Sequence, residues 1–280
     1  MLMIPQTIQK VFDAVPLRTY PNELNAVTPE KLYSFSLKSP PNPLILGVYN
    51  TFELGKDVLP TDPVSLFTLI ILAKKNGFGL PDTTSESGSG ITRIPFRGSP
   101  SNSLPILISD GSVRTIENSE QIEKKIASNN IETEKIRLIN EFVDTVLFDS
   151  WISCLLAEKL SLATFHQLFG IDNELEVYEL KRQIPKWNSF STRHSSFSEH
   201  YQKSRYLQSF YEIQCGAFET ALEQLQDYLD SSDQEQSIIK YKVAAFVIIF
   251  NRFLKDTAMG EVLSRFPNVI IKSYGVLENN

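Results

Sequence analysis

Metal, acid–base and nucleophilic chemistry each require particular side chains at particular spacings. The chain has three histidines, His166, His194 and His200, and no two of them have HxxxH spacing, so the sequence predicts no metal site. Asp144 and Asp149 lie five positions apart in a helical pattern, which does not place two carboxylates on one face for paired acid–base work. These residue types therefore give no support for catalysis.

Nucleophilic and redox chemistry have equally little support. The two cysteines, Cys154 and Cys215, are about sixty positions apart, and neither belongs to a CxxC motif. Lone cysteines of this kind are typical of core packing, and so low a count favours a reducing or cytosol-facing compartment over a secreted disulfide framework. Neither glycine-rich phosphate-binding motif occurs. The sequence predicts no catalytic residue, no metal and no cofactor.

Composition excludes several other classes of function. The 280 residues carry a net charge of -6, with 42% hydrophobic and 21% charged residues, which is ordinary for a chain that forms a core. No block of Lys and Arg occurs, so a nucleic-acid partner is not expected. The longest apolar runs, Val64–Ala73 and Val243–Phe250, are too short to span a bilayer, and Met1–Pro5 has no signal-peptide character.

Residues 44–130 alternate between strand and helix patterns. A helix start is clearest at Thr61 or Asp62, either of which can act as N-cap before Pro63, and Asn76-Gly77 supplies the stop. Further elements are expected as strands at 44–49, 91–94, 103–108 and 113–115, a loop at 83–90 and a helix at 119–129.

After residue 131 the sequence has only helical patterns. Long helices are expected at 133–156, 199–230 and 238–255, with a loop at 185–200. Val243–Phe250 is apolar all round, as expected of a helix in the middle of a bundle. Residues 1–43 contain seven prolines and little periodicity. The expected organisation is an extended segment at 1–43, an α/β domain at 44–130 and an all-helical domain at 131–280.

The run Ser103-Leu104-Pro105-Ile106-Leu107-Ile108, followed by a turn, a strand and a helix, resembles the closing part of the thioredoxin-like half of a glutathione-transferase-type fold. The fold class expected is therefore α/β plus all-α: a thioredoxin-like N-terminal domain and a helical C-terminal domain. The resemblance implies that the peptide bond before Pro105 is cis and that this backbone lies beside a substrate pocket.

The same resemblance defines where transferase chemistry would have to lie. Such an enzyme needs Tyr, Ser or Cys near the first strand–helix junction, where this chain offers Tyr49, Thr51 and Thr61. Tyr49 also suits a buried strand position, and Thr61 also suits an N-cap. At Asn118-Ser119 a helix start resembles the site that binds a substrate carboxylate, although Ser119 has the alternative of simply capping its helix.

Four segments in the right order resemble the metaxin family, and within it the fungal 35-kilodalton subunits of the mitochondrial sorting and assembly machinery. The segments are Val11–Tyr20, Leu46–Asn50 with its continuation to Pro81, Leu104–Leu107 and Val143–Trp151. The agreement covers roughly residues 8–20, 44–81 and 104–151. Only helical character agrees between about 156 and 257.

The resemblance implies a protein without enzymatic activity. It implies a peripheral subunit on the cytosolic face of the mitochondrial outer membrane, which caps an Omp85-type β-barrel beside a companion metaxin-like subunit. Its implied task is to help that barrel recognise the β-signal of β-barrel precursor proteins and insert them. Two alternatives stay open: an active glutathione-transferase-like enzyme, or the companion subunit itself.

The candidate contacts to the barrel are Phe12, Leu17 and Tyr20. They are apolar side chains in a segment without periodic structure, so the pattern does not assign them to a helix or strand of the chain's own core. Packing on that core remains the alternative for these residues.

Overall fold

The computed structural model describes residues 31–36, 43–85, 88–95, 98, 103–110, 114–119, 121–122, 134–195, 204–230 and 237–278. Within these residues the strands are β1 Tyr33–Ser36, β2 Leu44–Val48, β3 Thr51–Leu54, β4 Asp57–Pro60, β5 Gly79–Pro81, β6 Gly90–Arg93, β7 Ile106–Asp110 and β8 Arg114–Asn118. The helices are α1 Pro63–Asn76, α2 Glu134–Ala157, α3 Leu162–Phe169, α4 Glu174–Gln183, α5 Phe190–Arg193, α6 Ser204–Leu225, α7 Ser237–Phe253, α8 Ala258–Ser264 and α9 Pro267–Glu278.

Strand β2 lies inside a mixed sheet whose order among the described strands is β5-β1-β6-β2-β7-β8. It runs parallel to β6, with Leu46 opposite Ile91, and antiparallel to β7, with Leu46 opposite Leu107. A strand covered on both faces reads as a continuous apolar run, and Leu46 and Val48 are fully buried. This central position is the one that the sequence predicts for residues 44–49.

The sheet begins earlier than the sequence indicates. Residues 33–36 were expected to belong to an extended segment, but they form β1, which pairs antiparallel with both β5 and β6. The strand is four residues long and is held by partners about fifty positions away, so no local periodicity marks it. The expectation that residues 33–36 belong to an extended segment is therefore wrong. Between β2 and α1, where the sequence analysis places no element, the chain forms the hairpin β3–β4.

Helix α1 begins and ends as its sequence predicts. The Asp62 side chain accepts a hydrogen bond from the backbone N–H of Ser65, Pro63 occupies the first turn, and Gly77 ends the helix in the left-handed conformation at φ 66°. Leu66, Leu69, Ile70 and Ala73 are fully buried. The helix therefore packs firmly, with α7 against it on the side away from solvent.

Helix α7 is the centre of the helical part. It packs against α1, α2 and α9, while α2 also packs along α6. Every residue of Val243–Phe250 is buried, which confirms the expectation of a helix surrounded by other helices. Both the sheet and these helices lie within one compact unit, Lys31–Asn280.

The segment 185–200 was expected to be a loop, and its described part is not. Residues Ile184–Ser189 form a 3-10 helix and are followed directly by α5. Trp187 and Phe190 are buried, and Asp149 on α2 accepts hydrogen bonds from Arg193 and pairs with His194. These contacts come from a helix more than forty positions away, so the polar local sequence gave no signal of them.

The architecture confirms the expected fold class: an α/β part built on a mixed sheet, followed by a helical part. The peptide bond Leu104–Pro105, at the entry to β7, is cis. Within the described part of the chain, no helix combines the length and the apolar character that crossing a membrane requires.

One substitution tests the strand that sequence reasoning missed. A Cβ atom at Gly90 would lie 1.9 Å from the carbonyl oxygen of Tyr33 on β1, so Gly90→Ala must displace backbone. We expect urea unfolding to show a loss of at least about 2 kcal/mol in the free energy of unfolding. The matched control is Gly216→Ala on α6, where a Cβ meets nothing within 4 Å. It should leave stability unchanged or raise it by up to about 1 kcal/mol. Equal effects of the two substitutions would contradict the placement of β1.

Candidate functional site

A cavity of about 500 Å³ lies between the strand–helix junction after β2, the segment entering β7 and the helical part. Its walls come from the junction, from α1, α2 and α7, and from the 3-10 helix. The residues that line it include Tyr49, Asp62, Phe67, Leu104, Ser119, Asp144, Phe148, Trp151, Lys186, Trp187 and Lys242. The cavity is where the resemblance places a substrate pocket, so its polar groups decide what this site can do.

Tyr49 is a buried residue of the cavity wall that contacts other rings of the chain. It is buried, and its hydroxyl accepts a hydrogen bond of 3.0 Å from the backbone N–H of Leu104, beside the cis bond. Its ring meets Phe169 edge-on at 5.2 Å and stacks on Trp187 at 5.8 Å, measured between ring centroids. Burial, and secondarily the charge of Asp62, raises the pKa of Tyr49 well above its ordinary value. The buried-tyrosine alternative is the one observed.

Asn50 and Thr61 join the junction to helix α3. The side-chain amide of Asn50 donates to the carbonyl oxygens of His166 and Gln167, both at 2.9 Å. The Thr61 hydroxyl donates to the carbonyl oxygen of Leu168 at 2.6 Å. The last carbonyls of a helix have no partner within it. The His166 carbonyl also accepts from the N–H of the C-cap residue Gly170, so the bonds to Gln167 and Leu168 are the ones that supply a partner across the two parts of the fold. We call Asn50, Thr61 and these three carbonyls the clasp.

This arrangement corrects the expected role of Thr61. Asp62, and not Thr61, is the N-cap of α1, and the Thr61 hydroxyl is committed to Leu168. Thr51 lies on the half-exposed hairpin strand β3 and does not line the cavity. Of the three candidates, only Tyr49 lines the cavity, and its hydroxyl oxygen accepts from the backbone N–H of Leu104.

Asp62 carries a buried carboxylate with only one oxygen used. Its Oδ1 accepts from the Ser65 backbone N–H at 2.8 Å. Oδ2 and the hydroxyl of Ser65, in the same turn, are both buried, and neither makes a hydrogen bond within the distance limits in the described part of the chain. Burial raises the pKa of Asp62 to about 6, against the opposing effect of its hydrogen bonds around Ser65. The residue is only 1% exposed. A group of this kind on a cavity wall is a candidate binding residue.

The helix start at Asn118-Ser119 has a different cap from the expected one. The Asn118 side chain accepts from the Gln121 backbone N–H, and the Gln121 side chain accepts from the Asn118 backbone N–H, both at 3.0 Å. This reciprocal pair is a capping box, so Asn118 is the cap and Ser119 is not. Ser119 instead lines the cavity. Carboxylate binding at this helix start stays a prediction.

Two further carboxylates are paired within the helical part. Asp144 accepts two hydrogen bonds from the Lys242 ammonium, at 2.5 and 2.6 Å, and Lys242 also lies 5.0 Å from the ring centroid of Phe67. Asp149 pairs with Arg193 and His194. Asp144 and Asp149 thus have separate partners, as their spacing on α2 indicates.

The cysteines lie away from the cavity. Cys154 is buried and Cys215 half-buried, and neither lines the cavity walls. Burial raises the pKa of the Cys154 thiol to about 12, so this thiol stays protonated at neutral pH. In the described part of the chain, no three His, Cys, Asp or Glu side chains are grouped to hold a metal ion.

The predicted partner-binding residues Phe12, Leu17 and Tyr20 lie outside the described residues. Pro105 lies directly after the cavity-lining Leu104. Sequence reasoning did not assign Trp151, Trp187 or Lys242 to a site. A lysine buried in an otherwise apolar helix was a usable signal for Lys242, because such a lysine requires a carboxylate partner.

The clasp can be tested with two substitutions at Thr61, one that removes the hydroxyl and one that keeps it. Thr61→Val keeps the shape of the side chain but removes the donor to Leu168 O, which leaves a buried carbonyl unsatisfied. We expect urea unfolding to show a loss of about 1–3 kcal/mol in the free energy of unfolding. Thr61→Ser keeps the hydroxyl and should retain most of the stability. A valine variant as stable as the serine variant would rule out a stabilising role for the bond.

The buried carboxylate of Asp62 should leave a pH signature. Its folded-state pKa of about 6 exceeds the ordinary value of 3.8, so between these pH values the folded protein takes up a proton that the unfolded chain does not. The unfavourable contribution of ionised Asp62 is therefore present at pH 7 and lost as the pH falls toward 4. Asn caps a helix as well as Asp does, so Asp62→Asn removes the charge and keeps the cap.

We expect Asp62→Asn to gain stability relative to the wild type at pH 7.5, and to lose this advantage at pH 4. The difference in the free energy of unfolding between the variant and the wild type should change by up to about 3 kcal/mol between these two pH values, as measured by urea unfolding at each pH. Asp256→Asn, at an exposed position, should show no such change. A difference that does not vary with pH would show that Asp62 titrates normally.

Comparison with known proteins agrees with the resemblance drawn from the residues. Residues 2–109 match the family model described as SAM35, subunit of the SAM complex. The chain is 27% identical over 228 residues to the "Sorting assembly machinery 35 kDa subunit" of Saccharomyces cerevisiae, an alignment that covers 68% of this chain and 69% of the yeast protein.

Among solved structures, an apo form of glutathione S-transferase III is similar with a TM-score of 0.43 and 14% identity, over 84% of this chain and 91% of that one. The fold class stated above rests on the element order and sheet topology and not on this likeness. The two sequence matches agree with the resemblance: the chain is similar to SAM35 over residues 2–109 and to the yeast 35-kilodalton subunit over a longer stretch.

Proposed function

We propose that the chain is a non-enzymatic subunit of the mitochondrial sorting and assembly machinery. The observation that carries the proposal is the match to the yeast 35-kilodalton subunit along 228 residues, which reaches well beyond the 2–109 segment covered by the family model. On this proposal the protein is peripheral to the mitochondrial outer membrane, on its cytosolic face.

The use of the junction side chains supports a function without catalysis. The hydroxyl of Tyr49 accepts the backbone N–H of Leu104, and the Thr61 hydroxyl is bonded to Leu168 O. A thiol-activating hydroxyl must face the ligand and keep its polar atom available to it. Because Thr61 and Tyr49 bond to the chain itself and Thr51 does not line the cavity, the junction favours a structural role for these residues over the glutathione-transferase-like alternative.

Two physical modes of action suit a subunit of this kind. It could add the β-signal of a β-barrel precursor as an extra strand at its sheet edge, where β8 is the last described strand. Alternatively, it could cap an Omp85-type barrel beside a companion metaxin-like subunit and stabilise the state that receives the precursor. The second mode asks less of this chain, because strand pairing then belongs to the barrel, and we favour it.

The proposal is tested by affinity purification of the tagged full chain from a detergent extract of fungal mitochondrial outer membranes. We expect an Omp85-type barrel to co-purify at a defined ratio. A parallel calorimetric titration with glutathione should show no micromolar binding, and a model electrophile should not be turned over. Binding and turnover of glutathione, together with absence of the barrel, would overturn the proposal.

Contact by the N-terminal segment is tested by substitution. The triple variant Phe12→Ser, Leu17→Ser, Tyr20→Ser removes three apolar side chains that we propose contact the barrel. We expect the recovered barrel to fall at least about tenfold, since a few apolar and aromatic anchors carry most of the affinity of an interface. Thermal unfolding of the isolated variant should match the wild type.

The matched control is Leu175→Ser on α4, an exposed leucine with 67% of its surface accessible. This variant should recover as much barrel as the wild type. If the triple variant instead unfolds at lower temperature, these residues pack on the chain's own core and the assignment to the barrel is wrong.

A further inference from the structure

Two carboxylates line the cavity, and they differ in their partners. Asp144 is bonded to the buried ammonium of Lys242, which lies over the ring of Phe67 at 5.0 Å. This wall of the cavity thus holds a complete set of carboxylate, ammonium and aromatic ring. Asp62 lines the same cavity, and its Oδ2 is buried without a partner in the described part of the chain.

Asp62 shares the cavity with a group of aromatic residues. Tyr49, Trp151 and Trp187 form an aromatic stack, with ring centroids 5.8 Å apart for Tyr49 and Trp187 and 6.1 Å apart for Trp151 and Trp187. All three residues line the cavity. Aromatic rings on a cavity wall give the apolar body of a ligand a large surface to pack against.

A second buried polar atom on this wall also lacks a partner. Trp151 is 1% exposed, and its Nε1–H donates no hydrogen bond to any described residue. Buried polar groups normally have partners, and each one left without costs free energy that a suitable ligand can recover. The wall therefore offers an unused acceptor on Asp62 and an unused donor on Trp151.

We propose that the cavity binds an organic ammonium compound that carries a hydrogen-bond acceptor close to its amine. The ammonium donates to Asp62 Oδ2, the acceptor receives the Trp151 N–H, and the apolar body packs on the rings of Tyr49 and Trp187. Amino acid amides and N-terminal residues of polypeptides share this chemistry. A cavity of about 500 Å³ holds a ligand of that size.

Charge at the cavity wall favours a cation over an anion. The ammonium of Lys242 is already paired with Asp144, and Lys186 is an exposed residue. Asp62 therefore leaves a negative charge on the inner wall without a counter-ion. An anionic ligand on that wall would meet this charge and leave Oδ2 unpaired.

The test is calorimetric titration of the full chain with L-phenylalaninamide at pH 7.5, where the amine is charged to a useful extent. We expect saturable binding, and none with N-acetyl-L-phenylalaninamide, which keeps the ring and the amide but has no charge. Asp62→Asn should weaken binding at least about tenfold, because a charge-assisted hydrogen bond is lost while the helix cap is kept.

Two further variants separate the site from general effects on folding. Trp151→Phe keeps an aromatic ring, removes the N–H, and should weaken binding about threefold or more. Asp256→Asn, on the exposed segment after α7, should bind as the wild type does. Far-ultraviolet circular dichroism checks that each variant is folded. If one of the two variants is unfolded, the proposal is tested by the other variant together with the acetylated compound.

The two sources of the ligand are distinguished by a short peptide with Phe at its free N-terminus. Tighter binding of the peptide than of the amide assigns the site to a polypeptide N-terminus, and equal or weaker binding assigns it to a small amine. Absence of binding by both, or equal binding of the acetylated compound, would overturn the proposal. These measurements use the isolated chain, so their outcome is independent of whether an Omp85-type barrel co-purifies.

Discussion

The end of helix α3 depends on side chains that come from the other part of the fold. Its last carbonyls, on His166, Gln167 and Leu168, receive hydrogen bonds from Asn50 and Thr61, more than a hundred positions earlier in the chain. An exposed helix end can bond to water, but Thr61 is 1% exposed and Asn50 8%. Only the Thr61–Leu168 bond is buried at both ends, since His166 and Gln167 are exposed residues. The clasp therefore joins the strand–helix junction to the helical part through one buried bond and two partly buried ones.

The same bonds show how Tyr49 and Thr61 are used at the edge of this pocket. The junction after a central strand is where side chains project toward a ligand in open sheets. Here Thr61 is turned to α3 and Tyr49 to Leu104 and two aromatic rings. The architecture that positions chemistry is present, while the candidate hydroxyls at its centre stabilise the chain itself.

Local sequence signals predict the parts of this structure that local forces decide. Strand β2, the caps of α1 and the buried centre of α7 follow from apolar periodicity, Pro63 and Gly77, and each is found where expected. Strand β1 and the structure at 184–193 depend on partners that are distant in sequence, such as Gly90 and Asp149, and their own residues carry no periodic pattern. The site follows the same rule: the N-cap of Asp62 is a local feature, whereas the clasp exists only after the two parts have packed.

Asp62 shows why a local signal can be correct and still incomplete. A helix cap needs one acceptor, and Asn or Ser supplies it without a charge. An aspartate at a position that is 1% exposed adds the cost of burying that charge, which appears as a pKa raised to about 6. The described residues supply no counter-ion for Oδ2, although Lys242 does so for Asp144 on the same cavity. Capping therefore accounts for one carboxylate oxygen of Asp62 but not for the charge of the group, which lines a cavity that it shares with Tyr49, Trp151 and Trp187.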